Sequence, residues 1–326
     1  HFDIIDAKTL ATREYKTEYH VKGWLAKRQP CIAAAPKKCL KTNIMLDMGI
    51  SLATHSPFLG TFHTDERTPT LIMSGESGAA VIQETCKRIC VSRNWAFDKV
   101  ADLYFSFLVP QIVNAAHIKE IHDFIIERDI KVIIIDPAYL AMSGLGDNAA
   151  NMFAVGGQLW RLTELCEATG VTPILIHHTT KGSLSYENPP ELEDIAYAGF
   201  SEWARQWILL GRRERYDPDN AGSHKLWISA GGSAGHSQAW ALDIEEGHQD
   251  DHDGFGRHVG RRWDVEVIKA SAARHEALQA TAEHKAESDA AKREAQRQSR
   301  RADVIAAFER FDEPQIKTAM RDDDGM

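Results

Sequence analysis

Short uncharged runs separated by helical patterns constrain this chain more than any other feature. Cys31-Ile-Ala-Ala-Ala35, Thr70-Leu-Ile-Met73, Val132-Ile-Ile-Ile135 and Pro173-Ile-Leu-Ile176 carry no alternating polar positions. A strand with one wet face alternates apolar and polar residues, so runs of this kind predict strands covered on both faces. Helical patterns lie between them at 43–53, 79–91, 117–128 and 153–168. Alternating strands and helices predict an α/β fold with a doubly wound, mostly parallel sheet flanked by helices. Such a sheet takes its ligands at the carboxyl ends of the strands. Residues 207–210, 225–228 and 239–242 sit between Gly-rich turns and are read as antiparallel strands closing the sheet.

The turn after the first run carries chemistry. Ala35-Pro-Lys-Lys-Cys-Leu-Lys41-Thr42 leads from a strand into the helical pattern that begins at Asn43. Strand, turn, Lys-Thr and helix is the layout of a phosphate-binding P-loop. Backbone N–H groups and the helix N-terminus hold phosphate oxygens, Lys41 neutralises them, and the Thr42 hydroxyl ligates magnesium. Residues Ala35, Pro36, Lys37, Lys38, Cys39, Leu40, Lys41, Thr42 and Asn43 are the expected nucleotide-binding segment, with ATP and Mg²⁺ as its ligands. The usual pattern places glycines where this chain has Ala35 and Leu40. A side chain at a positive φ costs about 1–2 kcal/mol, so strain is expected at these two positions.

Acids at other strand ends supply the remaining roles. Asp136 closes the run Val132-Ile-Ile-Ile135 and, with Thr42, is the expected magnesium ligand. The plainer role, an Asp opening a Pro-containing turn, competes with it. Glu76 follows the run at 70–73 through Ser74-Gly75 and is placed to take a proton from water, against the common alternative of a helix N-cap. His177 and His178 are adjacent at the next strand end, and strand geometry points them to opposite faces, so one at most meets a nucleotide. A zinc site there lacks a third ligand at a recognised spacing.

The 326 residues carry a net charge of −9, which excludes a globally basic nucleic-acid coat but leaves room for a local basic channel. Five scattered cysteines predict a reducing compartment. No stretch approaches the roughly 18–20 apolar residues needed to span a bilayer, so a cytoplasmic protein with no membrane partner is expected. The expected organisation is a lead-in at 1–30, an ATPase core at 31–247, a polar loop, short strand and charged helical linker at 248–303, and the start of a helix-turn-helix or winged helix at 304–326.

Four features in order resemble the RecA-like AAA-family P-loop ATPases of the plasmid RepA type, a branch of the hexameric replicative helicases. They are the Lys-Thr loop, Gly75-Glu76, the Ile-Ile-Ile-Asp136-Pro137 strand end, and His177-His178-Thr179-Thr180-Lys181. The resemblance covers about residues 20–245. It implies a homo-oligomeric ring, a hexamer, with Mg-ATP bound between subunits and single-stranded DNA as partner. It also implies that Lys41, Asp136 and Glu76 serve hydrolysis, that His178 senses the γ-phosphate and that Arg205 is an arginine finger, with Arg212 the next choice. The loop 182–198 would face DNA, although it is acidic. A DNA helicase or DNA-linked motor of replication, repair or a mobile element is the leading expectation. An ATP-dependent switch that binds a partner without unwinding is the alternative.

Overall fold

The computed structural model describes residues 4–143, 151–180, 185–220, 222–252 and 260–309. The chain divides into two compact units, His1–Ala270 and Ser271–Met326. In the first, a helix α1 (Ala7–Thr12) and a small hairpin of β1 (Tyr19–Val21) and β2 (Leu25–Ala26) precede the main sheet. The hairpin is more than a lead-in. It buries Trp24 completely, with the ring 4.5 Å from Phe62 and 5.7 Å from Phe58.

The main sheet has nine strands. Its parallel part runs in the order β5 (Leu103–Ser106), β4 (Thr70–Ser74), β6 (Val132–Asp136), β7 (Thr172–His178), β3 (Cys31–Ala35), β8 (Gln206–Arg212). The antiparallel strands β9 (Ser223–Gly232), β10 (Ser237–Glu245) and β11 (Asp264–Lys269) extend the β8 edge. This is the expected α/β architecture, a mostly parallel sheet flanked by helices. Residues 207–210 depart from expectation: β8 is parallel to β3 and antiparallel only to β9. The connection from 179 to 205 is long enough for a crossover, so the chain returns in the direction of β3 and hairpins begin only at β9. The short strand expected inside the linker is β11, the ninth strand of the sheet.

Residue parity explains why the runs are apolar throughout. On β6, Val132 and Ile134 join one core cluster with α2 (Lys41–Thr54) and α3 (Ala79–Ser92). Ile133 and Ile135 join a second cluster on the other face, with α4 (Ala115–Arg128), α5 (Ala138–Ala141), α6 (Met152–Thr169) and α7 (Ala198–Trp203). Successive strand residues face opposite ways, so both parities must be apolar when both faces are covered. Packing on the α2 face is close: a Cβ on Gly49 would lie 2.8 Å from Ile72 Cδ1, so this mid-helix position takes only glycine without a shift.

One polar group sits inside that face. Asp47 on α2 is fully buried and pairs with Arg93, while Trp263 Nε1 donates to it at 2.8 Å and the Leu59 N–H at 2.9 Å. A buried carboxylate is tolerated only when its lone pairs are met, and here three segments meet them.

In the second unit the charged stretch is a single helix, α8 (Ala270–Glu309). Residues 304–309 continue it, and the rest of the expected helix-turn-helix, 310–326, lies outside the described residues. No helix among the described residues is long and apolar enough to cross a membrane. Removing one partner of a buried pair leaves an unmet charge, so Asp47→Ala should lower the unfolding free energy by about 3–5 kcal/mol. Denaturant titration of the variant checks this, and a loss below about 1 kcal/mol would show that the pair is not what anchors α2.

Candidate functional site

Strand parity aims the chemistry. Asp136 shares the face of Val132 and Ile134, so it points to α2, which begins at Lys41-Thr42. Thr42 Oγ1 donates to Asp136 Oδ2 at 2.6 Å. On β7, Ile174 and Ile176 belong to the same face, which sends His178 toward the P-loop and His177 to the opposite side. Lys41 Nζ lies 3.2 Å from His178 Nδ1 and 3.3 Å from the Pro36 carbonyl. Because an ammonium can only donate, His178 Nδ1 accepts and its ring proton sits on Nε2.

His177 is buried, stacks on Phe200 at 4.1 Å and bonds the Ala196 carbonyl through Nε2 at 3.0 Å. Burial drives its pKa down to about 4, so it is neutral. Burial also holds His178 below the ordinary histidine range, with Lys41 adding to the effect.

The loop itself reaches its shape without glycine. Leu40 caps α2 in the left-handed region at φ 54, as expected, but Ala35 is an ordinary extended end of β3. The second left-handed residue is Lys38, at φ 55. Only a position whose peptide must turn over needs that conformation, and Ala35 is still paired with β7. Within the expected nucleotide-binding segment, Lys37 and Lys38 are exposed and Cys39 is buried in the core. The Asn43 amide donates to Glu246 Oε1 at 2.9 Å. Burial works against the Glu246 carboxylate, yet His224, Arg88 and Arg261 outweigh it and hold its pKa at about 2.

Glu76 lies past the end of β4, where the Gly75 N–H bonds the Asp136 carbonyl at 2.8 Å and ties the two strand ends together. It does not cap α3, whose N-cap is Gly78. Its carboxylate accepts from Tyr139 Oη at 2.7 Å. Sequence reasoning missed Tyr139, because nothing in the sequence tells which residue after Asp136-Pro137 turns back toward Glu76. Lys41, Thr42, Asn43, Glu76, Asp136, Tyr139 and His178 line one crevice of about 1300 Å³ at the carboxyl ends of the parallel strands, together with Tyr186, Tyr197, Arg212, Arg215 and Tyr216.

Arg212 donates to the Lys38 carbonyl of its own loop and sits 5.4 Å from the Tyr216 ring. Arg205 is elsewhere. It is exposed, immediately before β8, and therefore at the amino end of the strands, opposite to the crevice. Lys181, the last residue of the histidine signature, and 182–184 lie outside the described residues.

The residues fit a nucleotide and its metal. Lys41 is a half-buried cation whose described hydrogen-bond partners are both neutral, and burial lowers its pKa despite Asp136. Asp136 is 3 % exposed, and burial raises its pKa against the opposing pull of Thr42 and Lys41. A phosphate beside Lys41 and a hard cation between the Thr42 hydroxyl and the Asp136 carboxylate would each match the charge that the site presents.

Fold and site together have the layout of a P-loop domain, a mostly parallel sheet whose strand ends bring a Lys-Thr turn against a carboxylate. The family is equally direct: a model described as an AAA domain matches residues 3–183, and the chain belongs to that family. The matched span holds the P-loop, Glu76, Asp136 and both histidines, and ends before Arg205. No curated protein matches the chain. Among solved structures, a KaiC-like protein from the hyperthermophilic archaeon Pyrococcus horikoshii OT3 is similar at 16 % identity and a TM-score of 0.47, over 70 % of this chain and 90 % of that one.

An imidazole that resists protonation when folded but takes a proton freely when unfolded favours the unfolded chain as acid is added. Stability should therefore fall as pH drops from about 6.5, the free histidine value, through the folded value of about 4 for His177. Two and a half pK units correspond to a loss on the order of 3 kcal/mol at the acid end of that window. His177→Phe should remove this share of the slope and leave that of buried His20, whose pKa burial lowers to about 3. Urea midpoints at pH 7 and pH 5 for both proteins measure the difference, and an unchanged slope would clear His177 of the effect.

Proposed function

We propose that the chain binds Mg-ATP in the crevice and hydrolyses it, as one subunit of a homo-oligomeric ring, a hexamer, that works on single-stranded DNA in the cytoplasm. The observation that carries this reading is the convergence of Lys41, the Thr42–Asp136 pair, Glu76 and His178 at the strand ends. Lys41 leaves His178 to oppose charge on the β- and γ-phosphates, and the loop N–H groups hold their oxygens. Thr42 and Asp136 hold Mg²⁺, which when bound draws charge from the phosphate oxygens. Glu76 takes a proton from the attacking water as its oxygen bonds the γ-phosphorus and the bond to the β-bridging oxygen breaks, releasing ADP and phosphate. His178, freed of Lys41, donates its Nε2 proton toward the terminal phosphate and so reports its presence.

Arg205 serves a neighbouring subunit in this reading. It stands at the far end of β8 from Arg212, about 20 Å away at the usual rise per strand residue, which is beyond an arginine's reach to its own crevice. Arg212 already contacts its own loop and is a poorer choice for a finger acting between subunits. The ring belongs to a RepA-type helicase or a related DNA-linked motor.

The second reading is an ATP-dependent switch that binds DNA or a partner without unwinding. One observation favours it: residues 185–198, beside the crevice, carry Glu187, Glu191, Glu193 and Asp194 and no lysine or arginine. Single-strand binders pair cationic grooves with stacking aromatics, and this segment offers Tyr186 and Tyr197 alone.

ATPase rate with and without single-stranded DNA separates the two readings: stimulation supports the motor, and a flat response supports the switch. Lys41→Ala should abolish turnover, and unchanged hydrolysis would sink the P-loop assignment. Glu76→Gln should keep Mg-ATP binding while lowering turnover by about a hundredfold or more. Mixing Arg205→Ala with Lys41→Ala subunits should restore part of the activity that each lacks alone. Failure to do so in a mixture shown to co-assemble by light scattering would remove Arg205 from the reaction.

A further inference from the structure

Tyr139 lines the crevice, and the hydrolytic reading above gives it no part. Tyr139 stands on α5, three residues beyond Asp136 and 48 % exposed, and its hydroxyl donates to Glu76 Oε1 at 2.7 Å. The contact links the loop after β6 with the loop after β4. Those two loops are already joined beneath it by the Gly75 N–H bond to the Asp136 carbonyl.

Glu76 needs such a partner. It is exposed, it follows Gly75 and precedes Ser77-Gly78, and it caps no helix. Its other close electrical neighbours, Asp136, Lys41 and His178, sit across the crevice and make no hydrogen bond to it among those described. A carboxylate on a glycine-flanked loop samples several rotamers, and only one of them aims an oxygen at a water in line with the γ-phosphate. Bonding to Glu76 also keeps the phenol protonated, its pKa raised above the usual tyrosine value by that bond first of all, so it stays a donor throughout the working pH range.

We propose that Tyr139 is a positioning residue for Glu76. Its hydroxyl holds Oε1 and leaves Oε2 free to accept the proton of the attacking water. Tyr139 touches neither phosphate nor metal in this assignment and acts through Glu76 alone. The inference rests on the hydrolytic reading, and its test separates the two.

The experiment is a double-mutant cycle with ATP as substrate, in the full chain. Tyr139→Phe removes only the hydroxyl of an exposed ring, so the fold should be undisturbed and the melting temperature unchanged. The expected result is a kcat lower by about tenfold with an unaltered KM, the signature of an interaction used after binding. In the Glu76→Gln background the same substitution should change single-turnover rate less than twofold, because the group it positions is no longer a base. Three outcomes overturn the proposal: full turnover of Tyr139→Phe beside an impaired Glu76→Gln, a shift in KM without one in kcat, or losses that multiply in the double variant. The first leaves Glu76 as the base and removes only Tyr139. A protein in which Glu76→Gln hydrolyses as fast as the unmodified chain overturns the hydrolytic reading itself, and the assignment of Tyr139 with it.

Discussion

The period of two along β6 and β7 is the constraint on which the site depends. A parallel strand covered on both faces has no choice about which residue looks where, since each step reverses the side chain. Ile134 and Ile176 pack beneath α2, so Asp136 and His178, two residues further on, must emerge on the same side as the first turn of that helix. Slipping either strand by one residue would send the carboxylate and the imidazole to the α4 and α6 side and present His177 and Ile135 to the loop. The apolar core is therefore the device that aims the polar groups.

Burial then sets their electrical state. Asp136 and Lys41 are each pushed toward their neutral forms by desolvation and partly held back by one another. Opposed tendencies of this kind leave a site in which added charge of the right sign is welcome on both sides. Elsewhere in the same face the chain solves the problem differently. Asp47 is enclosed by Arg93, Trp263 and the Leu59 amide, all of its needs met from within, and it is structural for that reason.

Much of this was legible in the sequence. Four uncharged runs announced a two-faced parallel sheet because a run such as Val132-Ile-Ile-Ile135, short, β-branched and without a polar break, suits a strand covered on both faces. Lys41-Thr42 and Asp136 were readable because strand ends are fixed points to which a motif can be pinned. Contacts made by long-range return of the chain were not readable. The direction of β8 depends on how the long connection from β7 returns to the sheet through α7, and the mate of Glu76 depends on how a short helix turns after Asp136-Pro137. Of the two positions that the glycine pattern marks for left-handed backbone, Leu40 has it and Ala35 does not; the backbone uses Lys38 instead, since pairing to β7 keeps Ala35 extended. The end of the sheet at which Arg205 stands is likewise not written in a resemblance of motifs along the chain.

The side chains on Lys38 and Leu40 have a consequence for how the loop can behave. Glycines let peptide planes turn over at little cost, so a glycine loop can remodel itself around whatever it holds. A Cβ at φ 55 on Lys38 and another at φ 54 on Leu40 narrow the conformations open to the two peptides that join them through Cys39. The loop has less backbone freedom than its glycine counterpart for that reason. What freedom remains in this turn lies in its rotatable side chains, among them Lys41, shared between a carbonyl and an imidazole.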